Sequence, residues 1–151
     1  MAGVLLSLPA CEHGHDHSHP HPHPHPHPDS NASTAKSDHG TEVELGTVKV
    51  GGRELRVARF GEVVPGTESA FEVHGVGMST AELGKMNIYL WVEDEGGNQL
   101  SAPAKGALEG DGLHFHVSPR KGRGTPVRVV TRLRDGDLDE RGTLPLDGKG
   151  R

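Results

Sequence analysis

The sequence predicts an all-β fold: an antiparallel immunoglobulin-like β-sandwich of about seven strands, preceded by a disordered His/Pro-rich tail. Three observations predict it. Between residues 41 and 146 short runs of alternating or β-branched residues recur at close spacing, glycine-rich turns separate them, and no run shows a convincing helical period. This pattern is that of a sandwich cut by tight turns.

The elements follow in chain order. TEVELGTVKV (41–50) and ELRVARF (54–60) flank Gly51-Gly52. Two glycines give φ > 0 at both central positions of a two-residue hairpin. SAFEVHGV (69–76) is the next strand, placing Phe71 and Val73 on one face and Glu72 and His74 on the other. STAELGKM holds at most one helical turn. MNIYLWVED (86–94) reads as a central strand buried on both faces, with Tyr89 and Trp91 opposite Ile88, Leu90 and Val92, and Trp91 as core or a loop cover. A turn at Glu95-Gly96-Gly97-Asn98 leads to a strand at QLSAPAKGAL (99–108), then a turn at Glu109-Gly110-Asp111-Gly112. LHFHVS (113–118) sets Leu113, Phe115 and Val117 against His114 and His116. PVRVVTRLRD (126–135) follows, and a short last strand is expected at GTLPL.

Ahead of the sandwich, EHGHDHSHPHPHPHPHPD (12–29) carries His13, His15, His17, His19, His21, His23, His25 and His27, the last five in strict alternation with proline. No apolar residue there can build a core, so the segment is a solvated array of imidazoles. Proline favours an extended polyproline II run with three residues per turn, so histidines two apart point in different directions. The array is splayed and does not form one tetrahedral site. An ion would be gathered by bending around Gly14 and Ser18, or handed between neighbouring rings. Imidazole suits zinc first, with copper, nickel or cobalt as alternatives, and Asp16 adds one hard oxygen. A polar low-complexity spacer and a pH-responsive tether are the competing readings.

MAGVLLSLPAC is a short apolar run ending at Cys11, the one cysteine of the chain. Leu8-Pro9-Ala10-Cys11 resembles the lipobox of a bacterial lipoprotein signal peptide, which places Leu three residues before the lipidated Cys and a small residue just before it. Pro9 and the missing basic residues depart from that pattern, and a start site further upstream would supply the latter. The implied organisation is a signal-peptide-like segment over 1–10, Cys11 with the tail and a polar linker over 11–40, the sandwich over 41–146, and a flexible C-terminus over 147–151.

Charge excludes one class of partner. Through residue 40 there is one lysine, Lys36, against Glu12, Asp16, Asp29 and Asp38, which leaves fifteen basic and seventeen acidic residues beyond. Neither part has the basic excess of a nucleic-acid binder, and the loop Arg120-Lys121-Gly122-Arg123-Gly124 reads as solvated. No phosphate-cradling glycine loop, GxSxG or HExxH is present, so nothing points to catalysis. Asp135-Gly136-Asp137-Leu138-Asp139-Glu140 lacks the spacing of a calcium loop and reads as a solvated turn.

Within the sandwich, His114 and His116 have metal-ligand spacing, about 7 Å apart on one face of a strand. His74 stands on the equivalent outward face of another strand, and Met78 and Met86 nearby would suit copper if they converged. Exposed histidines on a solvent face are the competing reading.

An apparent lipobox, a His-rich tail and a small β-sandwich together resemble the accessory lipoproteins of bacterial heavy-metal handling. The tail is similar to the His-rich segments of zinc-uptake binding proteins and cation transporters. The string FEVHG…NIYLWVEDEGG…LHFHV resembles small sandwich domains encoded near cation-efflux systems. The resemblance implies a periplasmic or cell-surface protein, anchored to a membrane by lipid, that captures or buffers divalent transition metal beside a transporter or efflux component. The alternative is a sandwich that binds a protein partner, held off the membrane by a hydrophilic tether.

Overall fold

A computed structural model describes residues 40–148. The eight tail histidines, Cys11, the signal-like segment, the linker up to residue 39 and the last three residues lie outside the described residues.

Nine strands and one helical turn make up the described part: β1 (Glu42–Val50), β2 (Arg53–Phe60), β3 (Ser69–Gly75), α1 (Thr80–Leu83), β4 (Ile88–Glu93), β5 (Ala104–Lys105), β6 (Ala107–Glu109), β7 (Gly112–Val117), β8 (Arg128–Asp135) and β9 (Leu138–Pro145). They form two antiparallel sheets, ordered β1-β2-β3-β7-β6 and β5-β4-β8-β9. Set β1 aside, and these are the A-B-E-D and C′-C-F-G sheets of an immunoglobulin-like sandwich. The expected architecture is therefore present, with β1 as an additional strand hairpinned onto the first sheet.

Local chemistry explains the start. In β1 the apolar positions run Val43, Leu45, then Val48, Val50, so the period-2 phase breaks by one residue. A bulge between Glu44 and Gly46 absorbs the extra residue, with Gly46 at φ 125°. All four side chains can then face the core. Gly51 and Gly52 both take positive φ in the β1–β2 hairpin, as two central glycines should. The helical turn α1 is held by a reciprocal cap: Ser79 accepts from the Glu82 backbone N–H while the Glu82 carboxylate accepts from the Ser79 N–H at 2.9 Å. Leu83 points from it into the core.

The core lies between the sheets. Leu55, Val57, Phe71, Val73, Leu113 and Phe115 from one sheet meet Ile88, Leu90, Val92, Val129 and Leu133 from the other. Alternation in β3, β4 and β7 falls as the sequence predicts. Trp91 is on the outer face of the second sheet, paired across to Val130, and its indole N–H donates to Glu93 at 2.9 Å. It is buried there, outside the main core cluster.

Three elements differ from expectation. The strand expected over 99–108 is two strands in different sheets: β5 pairs with β4 and β6 pairs with β7, the chain crossing over at Gly106. A Cβ on Gly106 would lie 2.6 Å from Phe115 Cζ, so only glycine lets the backbone pass this close to the core ring. The last strand is longer than GTLPL, because β9 pairs with β8 from Leu138 to Pro145. For that reason the acidic run 135–140 is no open turn. Only Gly136 and Asp137 form the turn, while Asp139 binds Arg132 and Glu140 accepts from the Gly51 N–H at 2.7 Å. The eight strands enumerated from the sequence, β1 among them, become nine through this division.

Candidate metal centre

The outward face of the first sheet assembles the site through strand register. Glu72 on β3 lies directly opposite His114 on β7, and Ala70 opposite His116. On the other side of β3, His74 faces Arg56 and Glu72 faces Ala58, both on β2. The β6–β7 hairpin turns through Gly110 and Asp111, which carries Asp111 to the same end of the sheet as His74.

Glu72 is the hub. Its Oε2 lies 3.4 Å from His74 Nε2 and its Oε1 3.4 Å from His114 Nε2. His74 turns its other nitrogen, Nδ1, toward Asp111 Oδ2 at 3.9 Å. With one donor atom from each residue, Glu72, His74 and Asp111 all lie within 4.8 Å of one another. A charge-assisted N–H···O contact closes to about 2.7–2.9 Å. Donors around a tetrahedral ion at 2.0–2.1 Å stand roughly 3.3–3.4 Å apart. At 3.4 Å both Glu72 contacts exceed the first spacing, and of the two histidines His74 is the one grouped with Glu72 and Asp111.

Burial separates the parts. Glu72, His74 and His114 keep only 15%, 18% and 12% of their side-chain surface, whereas the Asp111 side chain keeps 85%. Glu72, His74 and His114 thus lie within the ladder, and Asp111 stands exposed on a two-residue turn. Two carboxylates against the Arg56 cation leave the local charge negative when the imidazoles are neutral, which favours a cation. Gly112 makes room: a Cβ there would sit 2.6 Å from Glu72 Oε1 and 3.0 Å from His74 Cε1. The His114 ring also stacks on Phe60, centroids 5.9 Å apart and planes 18° from parallel. The small side chain of Ala58 faces Glu72 from β2, and Ala70 on β3 faces Phe60.

His74 and His114 therefore meet at one carboxylate and are half-buried. His116 pairs elsewhere: its Nδ1 lies 3.1 Å from Glu68 Oε1. The methionines serve packing. Met78 and Met86 lie against the core, and a Cβ on Gly75 would come 2.7 Å from Met78 Sδ. Glu72 and Asp111 are candidate ligands that the histidine spacing alone misses. Their signals are the alternation Glu72-Val73-His74 and the turn Asp111-Gly112 just ahead of His114. The array from His13 to His27 and the lipobox cysteine Cys11 fall outside the described residues.

Compared with protein-family models, with curated proteins and with solved structures, the chain matches none.

Proposed function

We propose that this protein binds divalent transition metal, zinc foremost, and captures or buffers it at a periplasmic or cell-surface membrane to which Cys11 anchors it by lipid. The observation that carries the reading is the Glu72–His74–Asp111 group, whose donors lie within 4.8 Å of one another, Glu72 and His74 half-buried in the ladder and Asp111 exposed beside them. Two hard oxygens and one imidazole suit zinc, or cobalt and nickel in its place, better than a soft thioether set suits copper. The tail supports the same reading by composition, eight imidazoles in fifteen residues from His13 to His27. The two parts divide the work: the tail gathers ions loosely and in number, and the sandwich holds one in fixed geometry. The proposed role is binding, beside a transporter or efflux component.

Calorimetry on full-length protein tests it. One variant replaces the eight tail histidines by asparagine, and a second combines Glu72→Gln with His74→Ala. The first should lose most of the bound zinc and keep about one equivalent, and the second should lose that equivalent alone. Binding unchanged in both would refute the reading and favour the protein-interaction module. Labelled fatty acid should enter the wild type and not Cys11→Ser. Equal membrane association of the two without label would remove the anchor.

A further inference from the structure

We infer that His114 is a positioning residue for the metal-binding carboxylate: its Nε2, 3.4 Å from Oε1 of Glu72, keeps that oxygen turned toward β7, so that Oε2 stays aimed at His74 and Asp111, while Phe60 holds the imidazole in plane. This role rests on the metal reading of the Glu72–His74–Asp111 group.

Geometry separates it from a fourth ligand. The three residues whose donors gather within 4.8 Å do not include His114. Its Nε2 addresses Oε1 of Glu72, whereas the His74 Nε2 addresses Oε2. A glutamate on a strand has three rotatable bonds and several ways to miss an ion. Fixing one oxygen removes most of them and presents the other as a single donor. Glu72 cannot be fixed from below, because the space under Oε1 is the missing side chain of Gly112. It is fixed from the side, by the ladder partner that register places directly across from it. The His114 ring is in turn held by a flat contact with Phe60, reaching over β3 where Ala70 leaves room. Partners of this outer kind are worth about 10–100-fold in metal affinity.

The test uses the full-length chain with its eight tail histidines replaced by asparagine, titrated with cobalt(II) alone. Visible absorption reports the ligand set, and competition with a chelating indicator reports affinity. His114→Ala should bind about 10–100-fold more weakly with absorption bands unmoved at saturation. His114→Gln, whose amide N–H reaches the same place, should recover most of the loss. Phe60→Leu leaves every polar group in place and should give a smaller loss in the same direction, which keeps the role testable should His114→Ala fold poorly. Wild-type affinity in His114→Ala would overturn the role and leave the site standing. Shifted bands in that variant would overturn it by making His114 a ligand, and no rescue by glutamine would overturn it by making the imidazole mere packing. A parent that takes up no cobalt would overturn the site and this role together.

Discussion

Replacing Gly112 by alanine tests the metal centre with a single methyl group. Its φ is not in the left-handed region, so alanine meets no backbone strain. The new Cβ would lie 2.6 Å from Glu72 Oε1, 2.9 Å from Glu72 Cγ and 3.0 Å from His74 Cε1, where ordinary contact begins at 3.4 Å. Oε1 must retreat by about 0.8 Å, several times the ±0.2 Å within which metal–donor distances hold. The clash falls on side-chain atoms, so the strand should persist and the cradle should not. The assay is thermal unfolding of full-length protein with its tail histidines replaced by asparagine, with and without zinc. At a zinc concentration a hundredfold above Kd, binding adds about 2.7 kcal/mol to the wild-type sandwich, which raises Tm by upward of about 10 °C in a domain of this size. Each tenfold loss of affinity removes about 1.4 kcal/mol of that. Gly112→Ala should therefore keep its zinc-free Tm within a few degrees and lose at least half of the zinc-dependent rise. A full rise would show that the ion is not held between Glu72 and His74. A zinc-free collapse would show that the methyl group strains the backbone after all.

Two further outcomes concern the scaffold. Gly142→Ala should destabilise the sandwich by about 1–3 kcal/mol, read as a lower urea midpoint, because a Cβ on Gly142 would overlap Val48 Cγ2 where β9 faces β1. Acid should weaken the fold through Asp94 and Asp139. The Asn98 side chain and backbone hold the Asp94 carboxyl below its usual range, and the Arg132 guanidinium does the same for Asp139. Both are depressed groups, so their contribution is complete above the unfolded value of about 3.9 and disappears as pH falls through their lower folded values. Urea midpoints of Asp94→Asn and Asp139→Asn should lie below wild type at pH 7 and converge with it near pH 2. A constant gap at both pH values would refute the assignment.

How far the sequence could be read depended on the range of the interactions. The Gly51-Gly52 hairpin and the in-out alternation of β3 and β7 are written within a few residues, and they were legible. The division of 99–108 was not, since what breaks the strand at Gly106 is the ring of Phe115, which nothing local announces. The length of β9 was hidden for a related reason: LDERGTLP is too polar to look like a strand, and only pairing with β8 along its whole length makes it one. In the candidate site the common face of Glu72 and His74 could be read from period 2. That Glu72 stands opposite His114, not His116, is a matter of register between strands forty residues apart, and so the carboxylate went unrecognised as a candidate ligand. The lateral pair His114 and His116 looked like a chelate because spacing along one strand is visible in sequence and pairing across strands is not.

The approach of β1 to β9 has a consequence for how these molecules coexist. Each sheet ends in two rims with backbone groups unspent, and such rims invite a foreign strand to add on. The long rims, nine and eight residues, belong to β1 and β9, and these two strands lie against each other: Gly142 is pressed on Val48, and Glu140 takes the Gly51 N–H. The rims left open belong to β6 and β5, three and two residues long. A neighbour docking there would gain only a bond or two before the strand ran out. Copies crowded together would find little to polymerise on, and the residues that shelter the long rims are the same ones that close the sandwich.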